Sequence, residues 1–183
     1  DRVDLPDHNG RAMARFEFRE VQKFRQPWLW ALILGTNAMV IGVFGYGLVQ
    51  QLAKGEAWGN QPMSDVGLVS TFIVTVLVTL GLVWLFFAMA LIVEVRSDGL
   101  SVHLKPLKHR LVEYRDIASV EACQYRPIVE YGGWGIRRGR DGWAYNVSGN
   151  QGVRLTFHEG KTLLIGSRRH VELARAIEQA REG

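Results

Sequence analysis

The sequence predicts a membrane α-helical hairpin joined to a cytoplasmic α+β domain, in which a strongly bent antiparallel sheet of about seven strands is closed by a C-terminal helix. Three observations predict it. Residues 28–50 and 66–93 carry no charged side chain. Basic residues crowd the outer flanks of that pair and leave the connecting segment nearly bare. Beyond Glu94 the hydrophobic period shortens to that of strands, punctuated by Gly- and Asp-rich turns, until a last amphipathic segment restores helical spacing.

The N-terminal arm, 1–27, begins with a largely polar stretch over 1–10 that lacks the apolar run of a signal peptide. Residues 11–26 read as a helix. Met13, Phe16, Val21 and Phe24 fall roughly on one face, and Arg15, Arg19, Glu20, Lys23 and Gln26 are polar. A basic helix with aromatic residues beside a membrane span suits the interface. Packing against the cytoplasmic domain suits it equally.

Residues 28–50 form the first expected span. Twenty-three residues at a helical rise cover roughly 34 Å, against a hydrocarbon core of about 30 Å. Pro27 stands where a helix start tolerates a missing N–H. Trp28 and Trp30 are placed as headgroup-level anchors. The second span, 66–93, is longer than a bilayer needs, so it tilts or runs past the membrane. Arg11, Arg15, Arg19, Lys23 and Arg25 precede the first span, and Arg96, Lys105, Lys108, Arg110 and Arg115 follow the second. The loop 51–65 has Lys54 alone, with Trp58 as its candidate outer anchor. The positive-inside rule therefore places both termini in the cytoplasm.

Small and weakly polar residues mark both spans. Gly35, Asn37, Gly42 and Gly45 lie in the first, Thr75 and Gly81 in the second. Such residues let helix backbones approach closely. They serve either the hairpin's own packing or docking onto another membrane subunit. Neither span holds Asp, Glu, Lys, Arg or His, which argues against a proton relay or an ion pathway.

In the domain from 94 to 183, Val95, a turn at Ser97-Asp98-Gly99 and residues 100–104 read as a hairpin. Residues 110–114 and 116–122 supply further strands. A Gly-rich run at 131–138 precedes an extended 143–147, and 153–157 with 162–165 form another hairpin. Ser167 can cap a helix over 168–181 whose apolar face is Val171, Leu173, Ala174 and Ile177. About seven strands and a closing helix outline a PH-like barrel.

The runs YGGWGIR at 131–137, AYNVSG at 144–149 and GVRL at 152–155, with the segment 161–167 and the closing helix, resemble a family of bacterial and archaeal membrane proteins. Its members carry two transmembrane helices and a bacterial PH-like domain of unknown function. The likeness covers 15–182 in outline and implies that fold, that topology and an inner-membrane location. It brings no activity with it. Related PH-like membrane proteins include assembly factors for membrane complexes, which extends by analogy to a subunit or assembly role.

Candidate chemistry is sparse. The glycines of 131–140 lack phosphate-loop spacing and suit a bent sheet. Arg137, Arg138 and Arg140 form the densest positive cluster, with Trp134 nearby. They suit anionic lipid headgroups, an acidic partner surface or plain solvation. From Glu94 onward 15 basic residues face 11 acidic ones, a mild excess that names no ligand. The overall pI near 9.5 is largely accounted for by membrane topology, so no nucleic-acid partner is expected. The five histidines show no metal-binding spacing, and Cys123 stands alone, so no metal or cofactor is expected. The leading expectation is a non-enzymatic membrane-anchored module, an accessory subunit or assembly factor that contacts lipid and other membrane subunits. An anionic-lipid sensor and a self-associating scaffold, with a homo-oligomer, are the alternatives.

Overall fold

Pro27 opens the first helix, where its fixed φ suits a first turn. The computed structural model describes residues 18–182. In it, helix α1 spans Pro27–Leu48 and continues through a wider turn at Val49–Ala53, and helix α2 spans Asp65–Ala88. These form one unit, 25–88. Both helices are long and apolar enough to cross a membrane. Leu32, Met39 and Val43 of α1 and Val74, Leu77 and Phe87 of α2 are all exposed. A helix that is apolar on every side is at home in lipid. Inside the unit, Trp30 meets Phe87 edge-on at 6.5 Å between centroids. The Gln51 amide donates to Met63 O and Asp65 Oδ1 at 2.9 and 2.7 Å.

The second helix is shorter than the 66–93 expected. It stops at Ala88, and Ala90–Arg96 is strand β2. Leu91, Val93 and Val95 are fully buried. A strand buried among its neighbours reads as the same apolar run as a lipid-facing helix, so length and composition do not separate them.

The arm helix expected over 11–26 is corrected more sharply. Phe18–Lys23 is strand β1, paired antiparallel with β2, while 11–17 lies outside the described residues. Burial alternates along it: Phe18, Glu20 and Gln22 point inward, and Arg19, Val21 and Lys23 point outward. Two of the three inward residues are polar and the apolar Val21 is exposed, so the strand's period is inverted in hydrophobicity.

Strands β3 (Gly99–Lys105) and β4 (Lys108–Val112) complete a first sheet of order β1-β2-β3-β4. The second sheet contains β5 (Ile117–Gln124), β6 (Gly135–Arg138), β7 (Gly142–Asn146), β8 (Gln151–Phe157) and β9 (Thr162–Gly166), in the order β5-β8-β9-β7-β6. The wholly antiparallel arrangement expected does not hold, because β7 and β9 run parallel. Short helix α3 (Pro127–Tyr131) follows β5, and α4 (His170–Glu182) closes the chain. The coarse layout expected, long apolar helices with a β domain that ends in a helix, holds, but the described residues place nine strands in two sheets where one bent sheet of about seven was expected.

The core of this unit draws Leu100, Val102 and Leu104 from the first sheet, Val153, Leu155, Leu163 and Ile165 from the second, and Leu173 and Ile177 from α4. Burying each such side chain stabilises by about 1.5–3 kcal/mol. On α4 the expected Val171 is 44% exposed, and Ala176 is buried instead. The helix start is tied to β1. Ser167 donates to Glu20 Oε2 at 2.5 Å and accepts from Arg169 N–H at 3.0 Å, while Arg168 N–H donates to Glu20 Oε1 at 3.1 Å. Gln22 donates to Gly166 O at 2.8 Å beside it.

A smaller apolar cluster joins Tyr125, Ala144 and Leu164, with Cys123 and Tyr131 packed against it. Burial pushes the Tyr125 phenol from its ordinary 10.0 up to about 12. The sign follows. Below pH 10 the phenol is neutral folded or unfolded, and its contribution is intact. Between about 10 and 12 the unfolded chain gives up this proton and the folded chain keeps it, so stability falls by about 2–3 kcal/mol. Unfolding titrations should show that decline, and Tyr125→Phe should flatten it. An unchanged slope in Tyr125→Phe would count against the buried phenol as its cause.

Candidate functional site

Four of the β unit's cations, Arg110, Arg138, Arg140 and Lys161, line a groove of 270 Å³. Register builds it. On β4, Lys108 and Arg110 oppose Leu104 and Val102, so they share the face that those core residues occupy. On the second sheet, Arg138 opposes Trp143 and Ile117 opposes Phe157. The edge of the core is thus finished with cations and aromatic rings instead of aliphatic side chains. The Arg110 guanidinium lies 5.5 Å from the Phe157 ring centroid, and the Lys108 ammonium lies 5.5 Å from that of Trp143. Arg138, Arg140 and Lys161 complete the positive lining, and Asp141 is its one carboxylate.

Two glycines hold the hairpin that carries Arg138 and Arg140. Gly139 N–H donates to Gly142 O at 2.8 Å, which closes the turn. A Cβ on Gly142 would lie 1.9 Å from Thr162 O, and one on Gly139 would lie 2.6 Å from the Tyr131 ring. Thr162 also donates through its N–H and its hydroxyl to Asp141 O, at 3.1 and 2.9 Å. The turn is therefore fixed against β9 on one side and α3 on the other. A second hollow of 560 Å³ adjoins it, lined partly by Tyr131, Glu130 and Arg154. There Arg154 and Glu130 approach within 3.7 Å.

The expected cluster of Trp134, Arg137, Arg138 and Arg140 is divided by this geometry. Neighbouring strand residues point to opposite faces, so Arg138 joins the groove and Arg137 does not. Arg137 Nε donates to Trp134 O at 3.0 Å, and the Trp134 indole donates to Gly149 O at 3.0 Å. Trp134 and Arg137 thereby brace the β6 end of the sheet. Arg110 and Lys161 join the groove from elsewhere in the chain, and nothing in their local sequence points to it.

The helix residues sort differently. Trp28 is 54% exposed. Trp58 folds back on α1, 6.0 Å from Phe44, and its ring would be 2.6 Å from a Cβ on Gly47. Gly47 is thus the glycine that α1 needs for a close approach. At Gly35, Gly42, Gly45 and Gly81 a Cβ would meet nothing within 4 Å. Gly35, Ala38, Gly42 and Gly45 recur at helical spacing and form one uncovered face of α1. The Asn37 amide donates to Ile33 O in its own helix at 2.7 Å. Thr75 is half-buried.

Other polar groups are arranged for structure. Burial pushes the Cys123 thiol up, which keeps it protonated at neutral pH. His103 and His109 face each other across β3 and β4 at 5.2 Å, and His109 shares a hydrogen bond with Ser101 at 2.9 Å. Burial first, then the charges of His109 and Lys105, pull His103 below its ordinary 6.5. Among the described residues no three His, Cys, Asp or Glu side chains converge as a metal centre requires. Comparisons with protein families, curated proteins and solved structures find no match to this chain.

Proposed function

We propose that this chain is a non-enzymatic membrane-anchored interaction module, an accessory subunit or assembly factor of a larger membrane complex. The observation that carries the reading is the uncovered small-residue face of α1, formed by Gly35, Ala38, Gly42 and Gly45. Where no solvent drives helices together, close backbone approach at such a face supplies the packing contact. The hairpin's own contacts use Gly47, Trp30 and Phe87 instead, which leaves this face for a partner.

The pairing of β1 with β2 supports the topology that goes with this role. The chain leaves the sheet before α1 and rejoins it after α2, so two crossings return it to the side it left. In this reading the basic flanks favour the cytoplasm as that side, and the resemblance to the two-helix PH-like family suggests a bacterial or archaeal inner membrane. In this reading the two-sheet unit serves as the PH-like domain held at the membrane surface, with its effective concentration near membrane partners raised by tethering.

Gentle native purification, with mass spectrometry and sizing of what travels with the chain, tests the reading. A larger membrane complex of fixed stoichiometry is the expected result. The double variant Gly42→Ile, Gly45→Ile should release the chain from that complex while its β unit melts unchanged. Recovery of the wild-type chain alone, or only as a homo-oligomer, would overturn the accessory role.

A further inference from the structure

We propose that the groove between β4 and the β6–β7 hairpin binds a phosphate monoester group. Three guanidinium groups (Arg110, Arg138 and Arg140) and one ammonium (Lys161) face a single carboxylate, Asp141. Lys161 is shared with Glu159 at 2.8 Å. Among the described residues neither Arg138 nor Arg140 has an acidic side chain within ion-pair distance.

The chemistry of these groups selects the ligand. A phosphate monoester carries a charge of about −1.5 to −2 near neutral pH and offers three acceptor oxygens. A guanidinium presents paired N–H donors in a planar fork that matches two of those oxygens, and charge-assisted pairs of this kind are the strong ones. Arg110 lies over the Phe157 ring at 5.5 Å from its centroid, a contact that restricts the guanidinium at the groove's edge. Arg138 and Arg140 stand on a hairpin that Gly139 and Gly142 fix in place, so less ordering is required when the anion arrives.

Size narrows the class further. The groove's 270 Å³ lies just under the range of about 300–1,000 Å³ for pockets that enclose whole small molecules. It takes a phosphate with a short polar attachment and leaves the remainder of the ligand outside. A soluble phosphomonoester and a lipid with a monoester headgroup meet that description alike.

Binding to the purified chain distinguishes the sources and tests the site. One arm titrates inorganic phosphate and glycerol 3-phosphate into detergent-solubilised protein, followed by calorimetry. The other places the chain in nanodiscs of phosphatidylcholine with or without phosphatidic acid, and reads the β unit's protection of the lipid phosphate by phosphorus NMR. Saturable binding in the first arm assigns a soluble ligand, and a response confined to phosphatidic acid assigns a lipid. Either supports the proposal if Arg138→Gln with Arg140→Gln weakens it about tenfold or more and Arg137→Gln leaves it unchanged. The paired variant lies on exposed side chains, and an unchanged melting curve verifies its fold. Absence of binding in both arms would overturn the proposal. So would equal weakening by Arg137→Gln, which would mean diffuse attraction to a basic surface.

Discussion

Gly142→Ala unfolds the β unit at temperatures where the wild type is intact. The new methyl would stand 1.9 Å from Thr162 O, 2.6 Å from Thr162 Oγ1 and 2.7 Å from Thr162 C. Most of that obstacle is backbone, which cannot rotate away as a side-chain tip can. Thr162 is moreover held by its own ladder, paired with Thr156 of β8 and opposite Gly142 on β7. Relief requires separating the one parallel pair in the sheet or moving the hairpin that Arg138 and Arg140 occupy. Such overpacking should cost about 3 kcal/mol or more, which in a chain of this size lowers the melting temperature by roughly 10 °C. Gly149→Ala is the control. Gly149 has φ +74° but open space around it, so it should lose only about 1–2 kcal/mol. Circular dichroism of the detergent-solubilised protein measures both. Equal melting of Gly142→Ala and wild type would refute the close approach.

The second large effect is expected at Glu20. Its carboxylate is 8% exposed and accepts from Ser167 Oγ–H and Arg168 N–H. Both donors belong to the approach to α4, whose first-turn N–H groups have no partners within the helix. Glu20→Ala therefore leaves two buried or half-buried donors unsatisfied, each costing about 1–3 kcal/mol. It also removes a negative charge from a helix N-terminus. A loss of about 3 kcal/mol is expected, with hydrogen exchange accelerating first in β1 and the first turn of α4. Glu20→Gln keeps one accepting oxygen and should lose about half as much. If Glu20→Ala and Glu20→Gln melt together near wild type, β1 does not hold α4 through this contact.

These two residues also mark the limits of what the sequence discloses. The helices are legible because an uncharged apolar run long enough to cross a bilayer rarely occurs in a water-soluble fold. The β8–β9 hairpin is legible because two short apolar runs flank the turn residues His158 to Lys161, and α4 because its apolar residues recur at helical spacing. β1 is hidden because its buried positions include Glu20 and Gln22, whose tolerance for burial comes from partners near residue 167 that local pattern cannot reveal. Half of the arginine cluster is legible from its density at 137–140. Its division between two faces is set by the register of β6, and its partners Arg110 and Lys161 arrive through sheet packing from distant positions. Gly142 looks like any turn glycine until the backbone of β9 is placed against it.

The order in which the chain is made gives the β1–β2 pairing one more consequence. Phe18–Lys23 is synthesised well before Ala90–Arg96, with the whole apolar hairpin between them. The first strand of the sheet must therefore wait, unpaired, through the synthesis of both helices, and its charged residues Arg19, Glu20 and Lys23 disfavour wrong edge pairing in that interval. Only when the second span has ended can β2 reach it and give α4 its anchor at Glu20. If the two helices cross a membrane as proposed, completion of the β unit requires both crossings, because β1 and β2 meet only when the chain has returned to the side it left.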